Sequence, residues 1–242
     1  MRMPVMEAIG VVKVLGEGPA QTRALKGVDL ALRGGELTLL MGPSGSGKTT
    51  LLSILGCMLT PTEGIIHVRG TPIEGKTTEE LAKLRRENIG YVFQSYHLFP
   101  TLTAADNVRL ALDVRGESGK DAKIRSREAL GRVGLAGKAA NYPRQLSGGE
   151  QQRVAIARAL VGNPSVILAD EPTAALDSEN GKAVMTILSE IAKDPGRGVL
   201  VVTHDPRLVP FAQRIIRIED GLIVGEEPGG TTKKPKLVSG RA

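Results

Sequence analysis

Cysteine and long apolar runs are scarce in this 242-residue chain, and each scarcity excludes a class of protein. The single cysteine, Cys57, excludes a disulfide framework and a cysteine-based zinc site within one chain. Because it lies in an apolar stretch, we expect a buried, unreactive thiol in a reducing compartment. No apolar run approaches the roughly 18 residues that a membrane-spanning helix needs, and the amino terminus lacks signal-peptide features. We therefore expect a cytoplasmic protein that reaches a membrane only through a partner.

Aromatic residues make up 2% of the chain, with no tryptophan, although the net charge is +6. Proteins that stack nucleic-acid bases use aromatic side chains, so we expect no specific nucleic-acid partner. The densest basic cluster, Lys233, Lys234 and Lys236, lies in a Gly/Pro-rich segment without periodicity. We predict that residues 226–242 form a flexible basic tail, either solvated or in contact with an anionic membrane surface.

Short apolar segments alternate with helical patterns along residues 1–225, which predicts an α/β domain with a largely parallel sheet. The predicted elements are buried strands at 36–41, 165–169 and 198–203, antiparallel strands at 8–14, 24–32 and 64–69, and helices at about 47–58 and 178–194. Helical patterns without a strong strand dominate the stretch from about 103 to 142, within the segment of about 95–160. We therefore predict a helical subdomain inserted there into the α/β core.

A glycine-rich turn follows the predicted strand 36–41 and matches the phosphate-binding pattern G-x-x-x-x-G-K-[ST]. Its glycines let successive backbone N–H groups turn toward phosphate oxygens at the positive end of a helix. A turn that only caps a helix is the plainer alternative, but the strand–turn–helix context favours phosphate binding. The candidate ATP-binding residues here are Gly42, Pro43, Ser44, Gly45, Ser46, Gly47, Lys48, Thr49 and Thr50, with Lys48 on the β- and γ-phosphates and Thr49 on Mg²⁺.

Two adjacent carboxylates, Asp170 and Glu171, directly follow the apolar strand 165–169. Successive strand residues point to opposite faces, so these two acids have different roles. Asp170 suits water-mediated coordination of Mg²⁺, whereas Glu171 is free to orient and polarise an attacking water. Solvated acids at a strand end are the alternative, which the nearby phosphate-binding loop disfavours.

A second glycine-rich helix start comprises Leu146, Ser147, Gly148, Gly149 and Glu150. Ser147 and Glu150 have the spacing of a capping box, which is a structural explanation for the motif. A capping box does not require glycine at both intervening positions, however. Two glycines expose backbone N–H groups and suit close approach to an anion.

The order of six motifs resembles that of ABC (ATP-binding cassette) ATPase domains over about residues 7–225. These are the phosphate-binding loop, Gln94 after a strand at 89–93, the LSGGE signature at 146–150, the Asp170–Glu171 strand, Asp177 and His204. The resemblance implies a P-loop NTPase (RecA-like) core with an antiparallel β flank and a helical subdomain. It also implies ATP and Mg²⁺ as cofactors, and catalytic roles for Glu171, His204, Gln94 and Lys48.

The same resemblance implies that Gln94 contacts Mg²⁺ and responds to a membrane partner, that His204 contacts the γ-phosphate, and that Asp177 acts across a dimer interface. Taken singly, these residues have plainer alternatives: a surface amide, a strand-end histidine and a helix N-cap. In the family each ATP lies between the phosphate-binding loop of one subunit and the signature of the other. A homodimer that forms on ATP binding and drives a transmembrane permease is therefore implied.

Segments 54–57, 61–64, 93–98 and 102–104 resemble the branch of the family that exports macrolides and releases lipoproteins. The branch implies a permease with few membrane helices and a large external domain, and a location on the cytoplasmic face of the inner membrane. A mechanical regulator of cell-wall enzymes is an alternative from the same branch. Cytosolic ABC proteins acting on DNA or ribosomes share these motifs but need a long coiled-coil insertion, zinc cysteines or tandem cassettes, none of which is present here. A P-loop kinase would leave the signature and His204 unexplained.

One position departs from the family pattern. Family members usually carry an aromatic residue that stacks on adenine shortly before the phosphate-binding strand, and that place falls at Leu15. No Phe, Tyr or Trp precedes Tyr91. We therefore expect Leu15 to contact the base without stacking and to discriminate weakly between ATP and GTP.

Overall fold

Two β-sheets and six α-helices make up the computed structural model, which describes residues 4–230. The strands are β1 (Pro4–Leu15), β2 (Thr22–Arg33), β3 (Glu36–Met41), β4 (Glu63–Val68), β5 (Thr71–Pro72), β6 (Ile89–Val92), β7 (Val166–Asp170), β8 (Gly198–Thr203), β9 (Arg214–Glu219) and β10 (Leu222–Pro228). An antiparallel sheet has the order β2-β1-β4-β5. The larger sheet has the order β10-β9-β3-β8-β7-β6 and is parallel except for β10. The predicted parallel core and antiparallel flank are confirmed.

The larger sheet separates two apolar cores because its strands alternate their side chains between two faces. Leu39 of β3 and Val201 of β8 face one core, whereas Leu40 and Val202 face the other. Nearly every residue of β3, β7 and β8 is buried. Such continuous aliphatic runs are typical of parallel strands covered on both faces.

The helices are α1 (Lys48–Leu55), α2 (Thr78–Asn88), α3 (Ala104–Asp113), α4 (Lys120–Arg132), α5 (Gly148–Leu160) and α6 (Ser178–Ala192). Helix α1 packs into the core shared with the antiparallel sheet, whereas α3 to α6 contribute to the opposite core. Helices α3, α4 and α5 contact one another and lie within the segment 95–160 that the sequence marks as helical. None of the helices in residues 4–230 is long and apolar enough to cross a membrane.

Helix α2 was not among the predicted elements. It begins with a capping box in which Thr77 and Glu80 bond reciprocally, the Thr77 hydroxyl accepting from the Glu80 N–H at 3.2 Å. The Thr77-x-x-Glu80 spacing was the sequence signal for this helix. Helix α1 ends at Leu55, three residues before the predicted end, and Cys57 adopts a left-handed φ of 54° beyond it. Burial raises the pKa of the Cys57 thiol to about 11, which matches the expected unreactive side chain.

The predicted start of the basic tail at Glu226 is wrong. Strand β10 continues to Pro228, and Glu226 and Glu227 pair with Ile216 and Ile215 of β9. The Glu227 carboxylate is buried and accepts hydrogen bonds from the Arg217 guanidinium at 2.7 and 3.0 Å. This ion pair holds the strand where composition alone suggested coil. The tail lysines, Lys233, Lys234 and Lys236, lie outside the described residues.

Asn107 is a fully buried amide that ties the start of α3 to the loop before it. Its Oδ1 accepts from the Phe99 N–H at 2.8 Å, and its Nδ2 donates to the carbonyls of Phe99, Leu102 and Thr103 at 3.0–3.1 Å. We predict that Asn107→Ala lowers the free energy of unfolding by about 2–3 kcal/mol, because unpaired buried polar groups cost about 1–3 kcal/mol each. Urea unfolding measures this. Asn88→Ala, which removes one bond to the Leu84 carbonyl, is the control, and an equal loss in both would contradict the prediction.

Candidate active site

The phosphate-binding loop leaves β3 after Met41 and enters α1 at Lys48. Gly45 and Gly47 have φ values of 78° and 96°, a left-handed region that favours glycine. A Cβ on Gly42 would lie 2.0 Å from the Ile218 carbonyl oxygen, and one on Gly47 would lie 2.7 Å from that of Ala24. Glycine is therefore required both for the turn and for the close approach of the loop to β9 and β2.

The ammonium of Lys48 lies inside this loop. It donates to the carbonyl oxygens of Gly42 and Pro43 at 2.8 and 2.6 Å, and the side chain is largely buried. Burial lowers the pKa of Lys48, while the charges of Glu171 and Asp170 oppose that shift. The loop thus holds a cation at its centre, with two carboxylates close enough to stabilise the charge.

Asp170 ends β7 beside the same loop. Burial raises the pKa of its carboxyl group, as does the charge of Glu171, while Lys48 and a hydrogen bond with the Thr49 side chain lower it. No group of three or more His, Cys, Asp or Glu side chains in residues 4–230 could hold a metal by itself. Mg²⁺ commonly takes one or two protein carboxylates and completes its shell with phosphate oxygens and water. The pair of Asp170 and the Thr49 hydroxyl fits that kind of site.

Glu171 and His204 form a contact that motif order did not predict. His204 Nδ1 lies 2.7 Å from Glu171 Oε1. Glu171 has a left-handed φ of 44°, uncommon for a residue with a side chain, and its N–H donates to the Val202 carbonyl at 3.0 Å. Such strained backbone is concentrated at functional sites. The sequence shows that Glu171 follows the apolar strand β7 and that His204 follows the apolar strand β8. It does not show that these two strands pair with each other, which is what brings the two side chains together.

A cavity of about 690 Å³ brings most of the predicted nucleotide site together. Its lining includes the predicted residues Leu15, Pro43, Ser44, Gly45, Gly47, Lys48, Thr49, Thr50, Gln94, Glu171 and His204. Ala24 of β2 and Val202 of β8 also line it and were not predicted. Leu15 ends β1 and is 39% exposed, so an aliphatic side chain stands where the family pattern has an aromatic ring.

The signature residues Leu146, Ser147, Gly148, Gly149 and Glu150 do not line this cavity. Ser147 caps α5, and its capping box with Glu150 is complete, with distances of 3.2 and 2.8 Å. A Cβ on Gly149 would lie 2.2 Å from Asn180 Oδ1, and one on Gly148 would lie 3.0 Å from the Tyr96 hydroxyl. Ser147 and Glu150 therefore form the capping box that their spacing indicates, and the two glycines also permit close packing.

Asp177 likewise lies outside the cavity, at the start of α6. Its Oδ1 accepts from the N–H groups of Glu179 and Asn180 at 3.0 and 2.9 Å, so it is the N-cap of that helix. The Asn180 amide donates to Asp177 Oδ2 at 2.7 Å and also abuts Gly149. Asn180 therefore connects Asp177 to the signature within one chain.

Comparison with known proteins agrees with this arrangement. A family model described as ABC transporter matches residues 25–174, more than half of the chain. The chain belongs to the ABC transporter family. Its fold is that of a P-loop NTPase, and within the family it is an ATPase cassette.

The similar curated proteins include macrolide export ATP-binding/permease proteins. The protein of that name from Escherichia coli (strain K12) is 44% identical over 98% of this chain, and a second from Aeromonas hydrophila is 44% identical over 100%. The chain spans only 38% and 37% of the length of those relatives. The similarity to them is therefore confined to a part of each.

Solved cassettes have the same architecture. The dimeric structure of MJ0796, a bacterial ABC transporter cassette, is 43% identical with a TM-score of 0.84, covering 92% of this chain and 98% of that one. A post-hydrolysis dimer of the same cassette, bound to ADP and Pi, gives a TM-score of 0.83. The cassette cbiO1 of Clostridium perfringens is 29% identical with a TM-score of 0.82, covering 94% of this chain and 89% of its own.

The aliphatic Leu15 leads to a prediction about nucleotide affinity. Base–aromatic stacking is worth about 1–3 kcal/mol, and the phosphate-binding loop cannot distinguish one purine from another. We predict that ATP and GTP bind the wild-type chain within roughly tenfold of each other, or ~1.4 kcal/mol, and that Leu15→Tyr tightens both. Calorimetric dissociation constants for both nucleotides measure this, with Leu15→Ile as an aliphatic control. A strong preference for ATP in the wild type, with no gain from tyrosine, would mean that another residue already holds the base.

Proposed function

We propose that the chain hydrolyses MgATP in the cavity and uses the cycle of binding and hydrolysis to drive a membrane permease of the export type. The observation that carries the proposal is the convergence of Lys48, Glu171 and His204 on one cavity at the carboxyl ends of β3, β7 and β8. These groups supply a cation for phosphate, a carboxylate for water and a polar partner for that carboxylate. Phosphoryl transfer requires positioning and charge neutralisation of this kind, with little covalent chemistry from the protein.

Lys48 and the surrounding N–H groups of the loop neutralise the β- and γ-phosphates. Thr49, Asp170 and Gln94 would hold Mg²⁺, and the bound ion would neutralise charge on the phosphate oxygens. Gln94 lines the cavity, and its amide oxygen is the hard donor that this ion prefers. Leu15 and Ala24, which also line the cavity, contact the base.

Glu171 orients and polarises the attacking water. The water oxygen bonds to the γ-phosphorus, the bond to the β–γ bridging oxygen breaks, and ADP and inorganic phosphate leave. The Glu171 carboxylate accepts the water proton, or directs it to a phosphate oxygen. The Glu171 carboxylate accepts the hydrogen bond from His204, so Nδ1 carries the proton of this pair. His204 thereby holds the carboxylate in place, and a contact between its other ring nitrogen, Nε2, and the γ-phosphate requires that this nitrogen also carries a hydrogen to donate.

Two chains complete each site. The signature residues and Asp177 lie away from the cavity of their own chain, so a second chain placed head to tail must bring Ser147 to the γ-phosphate. The dimeric form of a cassette 43% identical to this chain supports that arrangement. Nucleotide then links the two chains, and hydrolysis allows them to separate.

The permease partner is proposed from the relatives. The macrolide export proteins carry ATP-binding and permease functions in one chain, and their similarity to this chain covers 37–38% of their length. We infer that this cassette works with a permease of that kind on the cytoplasmic face of the inner membrane. Substrate choice then belongs to the permease.

The role of Glu171 is tested by Glu171→Gln. We predict that this variant keeps ATP binding but loses hydrolysis by roughly 10²–10⁴-fold, the range of general-base contributions. Because the nucleotide persists, the variant should remain dimeric with MgATP in light scattering. Glu190→Gln, which changes an exposed carboxylate paired with Lys193, is the control. Near-normal turnover in Glu171→Gln would rule out the proposed base.

The sandwich arrangement is tested by Ser147→Arg. The arginine places bulk and charge where the γ-phosphate of the opposite chain should dock, so ATP-driven dimers should disappear while each chain still binds ATP. Light scattering and calorimetry measure the two effects. Ser147→Ala removes the hydroxyl without adding bulk or charge, costs about 0.5–2 kcal/mol of stability through the lost cap, and should weaken ATP-driven dimerisation less than Ser147→Arg does. If monomeric Ser147→Arg fails to bind ATP, the signature must act within its own chain.

A further inference from the structure

The loop between β6 and α3 carries Gln94 and turns through an unusual backbone. Tyr96 and His97 are consecutive residues with φ values of 59° and 46°. Residues other than glycine enter this left-handed region rarely and usually singly. Such a conformation persists only where the surrounding structure holds it in place. Gln94 lies two residues before this turn, so whatever fixes the turn also limits where Gln94 can lie.

Arg158 of α5 contacts the turn directly. Its guanidinium donates to the Tyr96 carbonyl at 2.8 Å and to the His97 carbonyl at 2.6 Å, the two residues with left-handed backbone. No carboxylate within residues 4–230 forms an ion pair with Arg158. Its planar fork of donors suits two neighbouring acceptors in a way that a lysine ammonium does not. The charge of Arg158 is thus directed at the backbone of this loop.

Other residues of α5 hold the same loop. Gln152, fully buried, donates from Nε2 to the Phe93 carbonyl at 3.5 Å. The Tyr96 hydroxyl lies against Gly148 at the start of the helix. The rings of Phe93 and His97 stack with centroids 4.6 Å apart, which closes the loop on itself. The loop is therefore attached to the signature helix at its first, second and last turns.

We propose that Arg158 is a positioning residue for ATP hydrolysis, which fixes the left-handed turn at Tyr96–His97 and thereby holds Gln94 at the cavity. The inference rests on the proposed role of Gln94 at Mg²⁺. Arg158 lies eleven residues after Ser147 on one helix, or about 16 Å at 1.5 Å per residue. A displacement of α5 therefore moves the signature and the Gln94 loop together.

The test is Arg158→Met in the full chain, which keeps a long side chain and removes the donors. We expect kcat to fall roughly tenfold to a hundredfold, because a misplacement of about 1 Å remote from the chemistry can cost that much. The calorimetric dissociation constant for ATP should change less than about twofold, since ATP affinity depends mainly on the Lys48 loop. Arg158→Lys should recover part of kcat. A rise in the ATP dissociation constant that accounts for the whole loss of activity would overturn the proposal.

A double-mutant cycle separates this inference from the proposed function. In a Gln94→Ala background, Arg158→Met should lower kcat by less than about twofold, because residues that act through one another are not additive. Multiplied losses in the double variant would overturn the role of Arg158 while leaving that of Gln94 intact. If Gln94→Ala alone leaves kcat unchanged, both roles fall.

Arg125→Met is the matched control. Arg125 also donates from its guanidinium to a backbone carbonyl, that of Val161 just beyond α5, at 2.8 Å, but none of its hydrogen bonds involves the Gln94 loop. The kcat of Arg125→Met should stay near that of the wild type. Urea unfolding of both variants identifies a general loss of stability. If Arg125→Met lowers kcat as much as Arg158→Met at equal stability, the effect belongs to the end of α5 and the proposal fails.

Discussion

The in-register parallel pairing of β7, β8 and β3 is the constraint on which the site depends. Met41 pairs with Thr203, and Asp170 with Val202, so three strands end at one level of the sheet. At that edge β3 continues into the phosphate-binding loop, β7 into Glu171, and β8 into His204. The Glu171 N–H extends the ladder by one more bond, to the Val202 carbonyl, and this bond brings its carboxylate to the histidine. A shift of one residue in either pairing would turn these side chains to the opposite face of the sheet.

Charge within the site is unbalanced in a way that suits its proposed cofactors. Lys48 carries one positive charge beside the two carboxylates of Asp170 and Glu171. Burial works against the charged forms of Asp170 and Lys48: it raises the pKa of Asp170 and lowers that of Lys48, and the opposite charges resist both shifts. A divalent cation at Asp170 would favour the ionised carboxylate, because an added nearby positive charge stabilises it. The protein's own side chains therefore balance these charges only in part, and a bound nucleotide with its metal ion would complete the balance.

The signature and Asp177 have structural and proposed functional roles at the same positions. Ser147 and Asp177 each cap a helix by accepting from N–H groups of its first turn. Asn180 occupies the space beside Gly149 and bonds to Asp177, so the two helix starts form one rigid surface. A surface of this kind can present backbone donors to a phosphate of another chain without reorganising, because its own side chains already satisfy the remaining polar groups.

The sequence alone predicted many of the strands and helices and most of the residues that line the cavity, because strand period, glycine turns and motif order depend on neighbours along the chain. It located β3, β7, β8 and α6, and it named eleven of the residues that line the cavity, without Ala24 and Val202. It missed α2, whose apolar content is low, and it predicted neither β9 nor β10. It therefore assigned Glu226 and Glu227 to the tail, because the Glu227–Arg217 pair that holds β10 joins two segments of the chain. Only the tertiary structure showed that Glu171 contacts His204, that Ala24 lines the cavity, and that Arg158 reaches the Gln94 loop. Those contacts join residues far apart in the chain, and they depend on which strands pair and which helix faces pack together. A linear pattern specifies neither of these.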